Sequence, residues 1–404
     1  MQSVRAEISA RPPLLTPGLM CVFASMFLAL TNFYLLFSAL PVIASAALGG
    51  GNAAGTTTGL LMAATVAAEF FVPGLVARLG YRRLAIAGLI LLGGPTLLLC
   101  VSMHPWLLAA VSVMRGAGLA IVFVIGSPVV TLIVPHARRA EALGLYGVMA
   151  GAAAILALPA GTWIAAHFSP YGLFLFSGAM ALAGLFTVSA IPGNAPPPSD
   201  SPTILRTFFS PELTKPAALF AISAMVAGAC MAFVPIVLSR HSSHLIAPAL
   251  LIHSTCTMIA RGLCGRFAAR VSNSRLLAFS LAISGVGTAL LAGMQFSPLA
   301  LGGAALTGLG FGAAQNASLA LMFERAPASS YDAASAIWSI AYDAGLGAGA
   351  VGFELLATSV GNSIAFAMSG ALVVLAMITA PRLLADSRVS AESPSFLRST
   401  SCES

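Results

Sequence analysis

Charged side chains are scarce in this chain: they make up 8% of its 404 residues, lysine occurs once, at Lys215, and the mean hydropathy is +0.96. So few charges cannot clothe a water-soluble surface, and the chain reads as an integral membrane protein. The lone lysine follows Thr214, so there is no Gly-Lys-Ser/Thr phosphate loop and nucleotide hydrolysis is excluded as an energy source. HExxH, GxSxG and CxxC patterns are missing and the six histidines are scattered, which argues against an intramembrane enzyme and against a metal or other cofactor. The six cysteines (Cys21, Cys100, Cys230, Cys256, Cys264 and Cys402) lack paired spacing, and five of them sit in apolar segments. They read as packing thiols rather than a disulfide or metal framework.

What is abundant is apolar sequence, 58% of the chain. Cut at charges and at Gly/Pro turns, the apolar runs count out to twelve, each near the roughly 20 residues a spanning helix needs. The fold class expected is therefore all-α, with twelve transmembrane helices in two six-helix bundles. The first run is too long for a signal peptide's apolar core and is read as retained. The expected organisation is a tail over residues 1–17, one bundle over 18–191, a linker over 192–216, a second bundle over 217–381 and a Ser-rich tail over 382–404. Pro196-Pro197-Pro198-Ser199-Asp200 marks the linker. The net charge of +7 fixes orientation rather than naming a nucleic-acid partner. Of 19 Lys and Arg, 16 fall in the tails and loops of one side, which the positive-inside asymmetry makes cytoplasmic. The expected setting is the inner (cytoplasmic) membrane, with both termini inside, the lipid bilayer as environment and the chain working as a monomer.

Span 2 stands out because it holds an acid, Glu69, and ends on a tight basic turn with Arg78, Gly80, Arg82 and Arg83. A second copy follows 192 residues later: Pro73, Ala77, Arg78 and Arg83 align on Gly265, Ala269, Arg270 and Arg275, and Gly116 and Gly118 align on Gly308 and Gly310. The chain is a duplicated unit. At that offset Glu69 falls on Arg261, so the copies carry opposite charges at one depth. Counting residues from the outer ends places Glu69 and Arg115 (span 4) both roughly 15 Å deep, and counting from the inner end places Asp343 (span 11) roughly 16 Å deep. Each charge left unpaired there costs roughly 2.5 to 3.5 kcal/mol. Two couples are therefore expected, Glu69 with Arg115 and Asp343 with Arg261. They are either proton-coupling groups or permanent ion pairs.

Several other residues carry expectations. Asn32 in span 1 either faces a wet cavity or bonds a neighbouring helix, and Gln315 and Asn316 in span 10 are polar enough to line a cavity. Span 5 reads Gly144-Leu145-Tyr146-Gly147, then Gly151 and Pro159, a pattern for close packing and for a kink that a moving helix uses. His253 reads as a structural, hydrogen-bonded histidine, and Glu354 as a solvated charge near the outer mouth.

Twelve spans in two halves, a long inner linker and basic turns after spans 2 and 8 resemble the major facilitator superfamily over nearly the whole chain. The family's inner turn reads Gly-x-Leu-Ala-Asp-Arg-x-Gly-Arg-Arg. Here Leu75, Arg78, Gly80 and Arg82 match, whereas Pro73, Ala77 and Tyr81 depart from it, and the missing acid at Ala77 removes the inter-half charge latch made there. Arg115 with Gly116 and Gly118 resembles the span 4 motif whose arginine is tied to proton movement. Tyr342-Asp343-Ala344-Gly345-Leu346-Gly347 resembles a stretch of bacterial drug-efflux relatives. The resemblance implies a secondary transporter that works by alternating access, exporting small amphipathic molecules against protons. Glu69, Asp343, Arg115 and Arg261 would couple protons, Asn32, Gln315 and Asn316 would line the substrate cavity, and Arg78, Gly80, Arg82, Arg83, Arg270 and Pro159 would serve the conformational change. Alternatives are a proton-coupled uptake carrier and a non-transporting receptor or assembly protein on the same scaffold.

Overall fold

The computed structural model describes residues 14–49, 53–135, 138–191, 193, 210–267, 270–327 and 330–385. The proline-rich part of the linker and the tails beyond residues 14 and 385 lie outside them. The described residues form helices joined by tight turns. Eleven helices are long and apolar enough to cross a membrane, and a bent pair supplies a twelfth span.

Helix α1 (Pro17–Ala47) starts where Thr16 accepts a hydrogen bond from the Leu19 amide at 3.3 Å and Pro17 occupies the first turn, where its missing N–H costs nothing. Span 2 is α2a (Ala53–Glu69) and α2b (Val72–Leu79). The N-terminal bundle continues with α3 (Tyr81–Leu98), α4 (Pro105–Ile133), α5 (Arg139–His167) and α6 (Pro170–Ala183), which tightens to a 3-10 turn over Gly184–Ala190. The second bundle comprises α7 (Pro211–His241), α8 (Ile246–Phe267), α9 (Asn273–Leu290), α10 (Ser297–Arg325), α11 (Tyr331–Val360) and α12 (Asn362–Ala385). Its first helix begins at Pro211, six residues before the expected bundle boundary at Ala217, because Pro211 and Glu212 suit a first helical turn in conformation and charge. At the other end, α12 runs on through Pro381 to Ala385.

Span 2 was expected as one helix from Thr57 to Ala77. Instead it breaks after Glu69, and α2b turns by 55°. Proline at 73 has no N–H to give the carbonyl of residue 69, and its ring crowds that same carbonyl, so the helix cannot pass straight through Glu69.

The duplication is visible in atomic contacts. Thr65 Oγ1 donates to the carbonyls of Leu61 (2.8 Å) and Gly116 (3.1 Å), and Thr257 Oγ1, 192 residues on, donates to those of His253 (2.8 Å) and Gly308 (3.1 Å). Gly116 presses on the Leu61 carbonyl and Gly308 on that of His253, so α2a meets α4, and α8 meets α10, backbone against backbone. A β-carbon has no room at either position. Gly308→Val is expected to cost about 1–3 kcal/mol or more and to lower the Tm of the purified protein in detergent, whereas Gly262→Ala, with nothing within 4 Å, should hold or raise it. Of the span 5 glycines, Gly151 packs on Met258, but Gly144 and Gly147 have open space, so close packing does not explain those two.

Three seams join the bundles: α1 with α7, α2a with α11, and α5 with α8.

Candidate functional site

The α2a–α11 seam carries one stripe of α11. Residues 343, 347 and 354 lie four and then seven apart, so they share a helix face. Against that face, running antiparallel, stand Glu69, Met62 and the Ala54–Gly55 backbone. Gly347 lets Met62 approach, and Gly59 accommodates Val351. Where the stripe reaches mid-depth, Asp343 (1% exposed) and Glu69 (5% exposed) stand side by side, one from each bundle, and no donor among the described residues reaches either Glu69 oxygen or Asp343 Oδ1. Two carboxylates offer only acceptors, so a hydrogen bond between them needs a proton on one of them.

The expected couples do not form. Among the described residues no ion pair within 4.0 Å joins Glu69 to Arg115 or Asp343 to Arg261. Arg115 is fully buried in α4, with Nε, Nη1 and Nη2 free of hydrogen bonds. The depths of these groups match, but their directions around the helix axes do not. The break at Pro73 leaves Glu69 as the last residue of α2a, facing α11 rather than α4.

At the far end of the stripe, Glu354 is buried (5% exposed) rather than solvated. Its carboxylate accepts from the Gly55 amide at 2.9 Å and the Ala54 amide at 3.2 Å. These are first-turn amides of α2a with no intrahelical acceptor, so an acid of one bundle caps a helix of the other.

Beside the acid pair lies a cavity of about 380 Å³ between the bundles. It reaches Leu143 and Ser335, early residues of α5 and α11, toward the face where α1 begins, and runs past Asp343 to Leu158 and Met231 in the other direction, where the α2a–α11 seam flanks it. One wall is aromatic. Phe311 and Tyr342 lie 5.9 Å apart at 26°, Trp338 and Tyr342 5.9 Å apart at 25°, and Phe220 backs Trp338 at 4.8 Å and 8°. Tyr34 of α1 reaches the same space from the other bundle, and its hydroxyl lies near that of Tyr342. Arg261 and Gln315 complete the polar part of the lining.

The remaining expected site residues fall elsewhere. Asn32 is wholly buried and donates to the Ser177 carbonyl (2.7 Å) and hydroxyl (2.8 Å), tying α1 to α6; it does not line the cavity. Asn316 donates to the Arg261 carbonyl at 2.8 Å, tying α10 to α8. Of the three expected cavity residues only Gln315 faces it. Pro159 lies inside α5 beside α1, where Ser38 donates to the Leu158 carbonyl at 2.7 Å. Gly80 takes a φ of +76° that suits glycine, and Arg82 donates to the carbonyls of Ile191 (2.9 Å) and Ser189 (2.7 Å), clasping the basic turn to the end of span 6. Arg78, Arg83 and Arg270 are exposed. His253 is wholly buried against Phe311, ring centroids 6.4 Å apart, beside the Ala304 main chain.

The aromatic wall went unread in the sequence, and Glu354 was read as solvated. The signal was present: Trp338 and Tyr342 are four residues apart, and Glu354 lies eleven, or three turns, beyond Asp343.

The family model described as Major Facilitator Superfamily matches residues 22–252 and 217–401. Among solved structures, a mutant of the nucleoside transporter NupG is similar at 12% identity and a TM-score of 0.73, over 91% of this chain and 99% of that one. A bacterial homologue of the human lysosomal transporter Spinster, inward-facing and unoccupied, is similar at 14% identity and a TM-score of 0.71, over 92% of this chain and 97% of that one. No curated protein sequence matches the chain.

Proposed function

Because the chain belongs to the Major Facilitator Superfamily, we propose that it is a secondary active transporter that exports small amphipathic organic molecules in exchange for protons, by alternating access. With the termini cytoplasmic, the cavity opens inward and the α2a–α11 seam is the closed outer gate. The observation that carries the reading is the Glu69–Asp343 contact at the point where cavity and gate meet.

The contact needs one shared proton, and Asp343 also lines the cavity, which gives that proton a way to the inner side. When it leaves, two carboxylates face each other in a low dielectric with no arginine beside them. Their repulsion opens the seam outward, with the loaded cavity turned to the far side. There a proton from outside returns to the pair and the seam re-forms after the substrate has gone. One proton thus enters for each outward turn of the cavity. A buried charge placed this way is a functional device by default in a membrane helix.

Purified protein in proteoliposomes carrying an internal pH dye tests this. Addition of a transported compound should produce proton movement that is abolished by an uncoupler. Flux of a compound without proton movement would overturn the coupling, and the absence of any flux across a broad panel of amphipathic compounds would favour a non-transporting role.

A further inference from the structure

We propose that the cavity takes flat aromatic organic anions, with the ring system against Phe311, Trp338 and Tyr342 and the anionic group on the guanidinium of Arg261. This rests on the transport reading above and specifies its substrate class.

Arg261 is the only Lys or Arg in the cavity lining among the described residues. Its backbone is pinned by Asn316 at 2.8 Å, so the side chain rises into the cavity from a fixed stem. None of its side-chain donors meets a carboxylate within 4.0 Å among the described residues. The one acid in the lining, Asp343, stands beside Glu69 of the other bundle and makes no ion pair with Arg261 within 4.0 Å. A guanidinium in a narrow apolar cavity, with its donors unengaged, is a receptor for a planar carboxylate or sulfonate, which takes two parallel N–H bonds. A cationic guest would have to share the same narrow cavity with that charge.

The wall opposite selects shape. Phe311 and Trp338 each lie 5.9 Å from Tyr342, at 26° and 25° to its plane, and the three present edges and faces suited to a fused-ring guest. Gln315 adds one acceptor, its Oε1 buried and without a partner, for a donor on the ring. A cavity of about 380 Å³ holds a bicyclic acid with room for water.

The test is equilibrium binding of radiolabelled naphthoate to the full chain in nanodiscs, competed by naphthylmethanol and naphthylmethylammonium, which share the ring and differ in charge. Naphthoate should bind at least about tenfold more tightly than either competitor, and Arg261→Gln should erase that preference. Gln315→Glu, which keeps the side-chain shape and adds a negative charge near Arg261, should weaken naphthoate by a similar factor and serves if Arg261→Gln does not fold. Equal or tighter binding of the ammonium compound, no measurable naphthoate binding, or an unchanged naphthoate affinity in both variants would overturn the proposal. Counterflow in proteoliposomes separates this from the transport reading. Arg261-dependent binding without naphthoate exchange leaves the anion site standing and sinks transport of it, whereas exchange of the ammonium compound alone keeps transport and sinks the anion site.

Discussion

Glu69→Gln and Asp343→Asn should each abolish proton-driven substrate accumulation while leaving substrate exchange across the membrane intact. In the proposed cycle the Glu69–Asp343 contact takes up a proton, and it is this step that ties the gate to protonation. An amide at either position donates without taking up a proton, so the seam parts and re-forms by thermal fluctuation and no longer binds or releases a proton as it does so. The expected loss is the whole thermodynamic contribution of the proton. At 100 mV that is roughly 2.3 kcal/mol per charge, or several tens of fold in accumulation. An outside-acid gradient should accelerate export by the native chain and have no effect on either variant. Both variants should be judged against counterflow in the same vesicles, which reports folding and binding without needing coupling. Native-like accumulation in both would remove the acid pair from the mechanism.

Glu354→Gln should shift the chain away from the state in which the outer seam is closed. The carboxylate receives the amides of Ala54 and Gly55 at 3.2 and 2.9 Å across the bundle boundary, and hydrogen bonds to a charged group contribute about 1.5–3 kcal/mol each. Even half of that total moves a two-state equilibrium by one to two powers of ten. The measurement is the distance between spin labels placed on exposed sites of α2a and α11, or the labelling rate of a cysteine introduced at Gly59, which is covered by Val351 in the closed seam. The variant should show the longer distance or the faster labelling. A distribution like that of the native chain would mean that the cap contributes little to closure.

Much of the architecture was legible because membranes enforce it. Apolar runs of the right length had to become spans, and the spacing of Gly116 and Gly118 against Gly308 and Gly310 announced a doubled fold whose backbone contacts recur at the same offset. Depth was also legible, since residues count off evenly along a helix, and Glu69 and Asp343 do lie level. What one sequence could not disclose was direction around the axis. The arginines looked like natural counter-ions by charge and depth, yet the turn at Pro73 and the stripe of small residues on α11 send Glu69 to the other acid. Asn32 and Asn316 illustrate the same gap: polarity inside a span demanded a partner, but whether that partner was a helix or a cavity depended on which neighbour came closest. Glu354 was misjudged because proximity to a mouth suggested water, whereas the start of α2a, which belongs to the other bundle, covers it.

The glycine contacts of α2a with α4 and of α8 with α10 bear on how motion is distributed. Where main chains touch directly there is no layer of side chains to repack, so those pairs cannot slide. In the proposed cycle each half would then move as a unit, with the parting confined to the surfaces between the bundles: α1 on α7, α2a on α11 and α5 on α8.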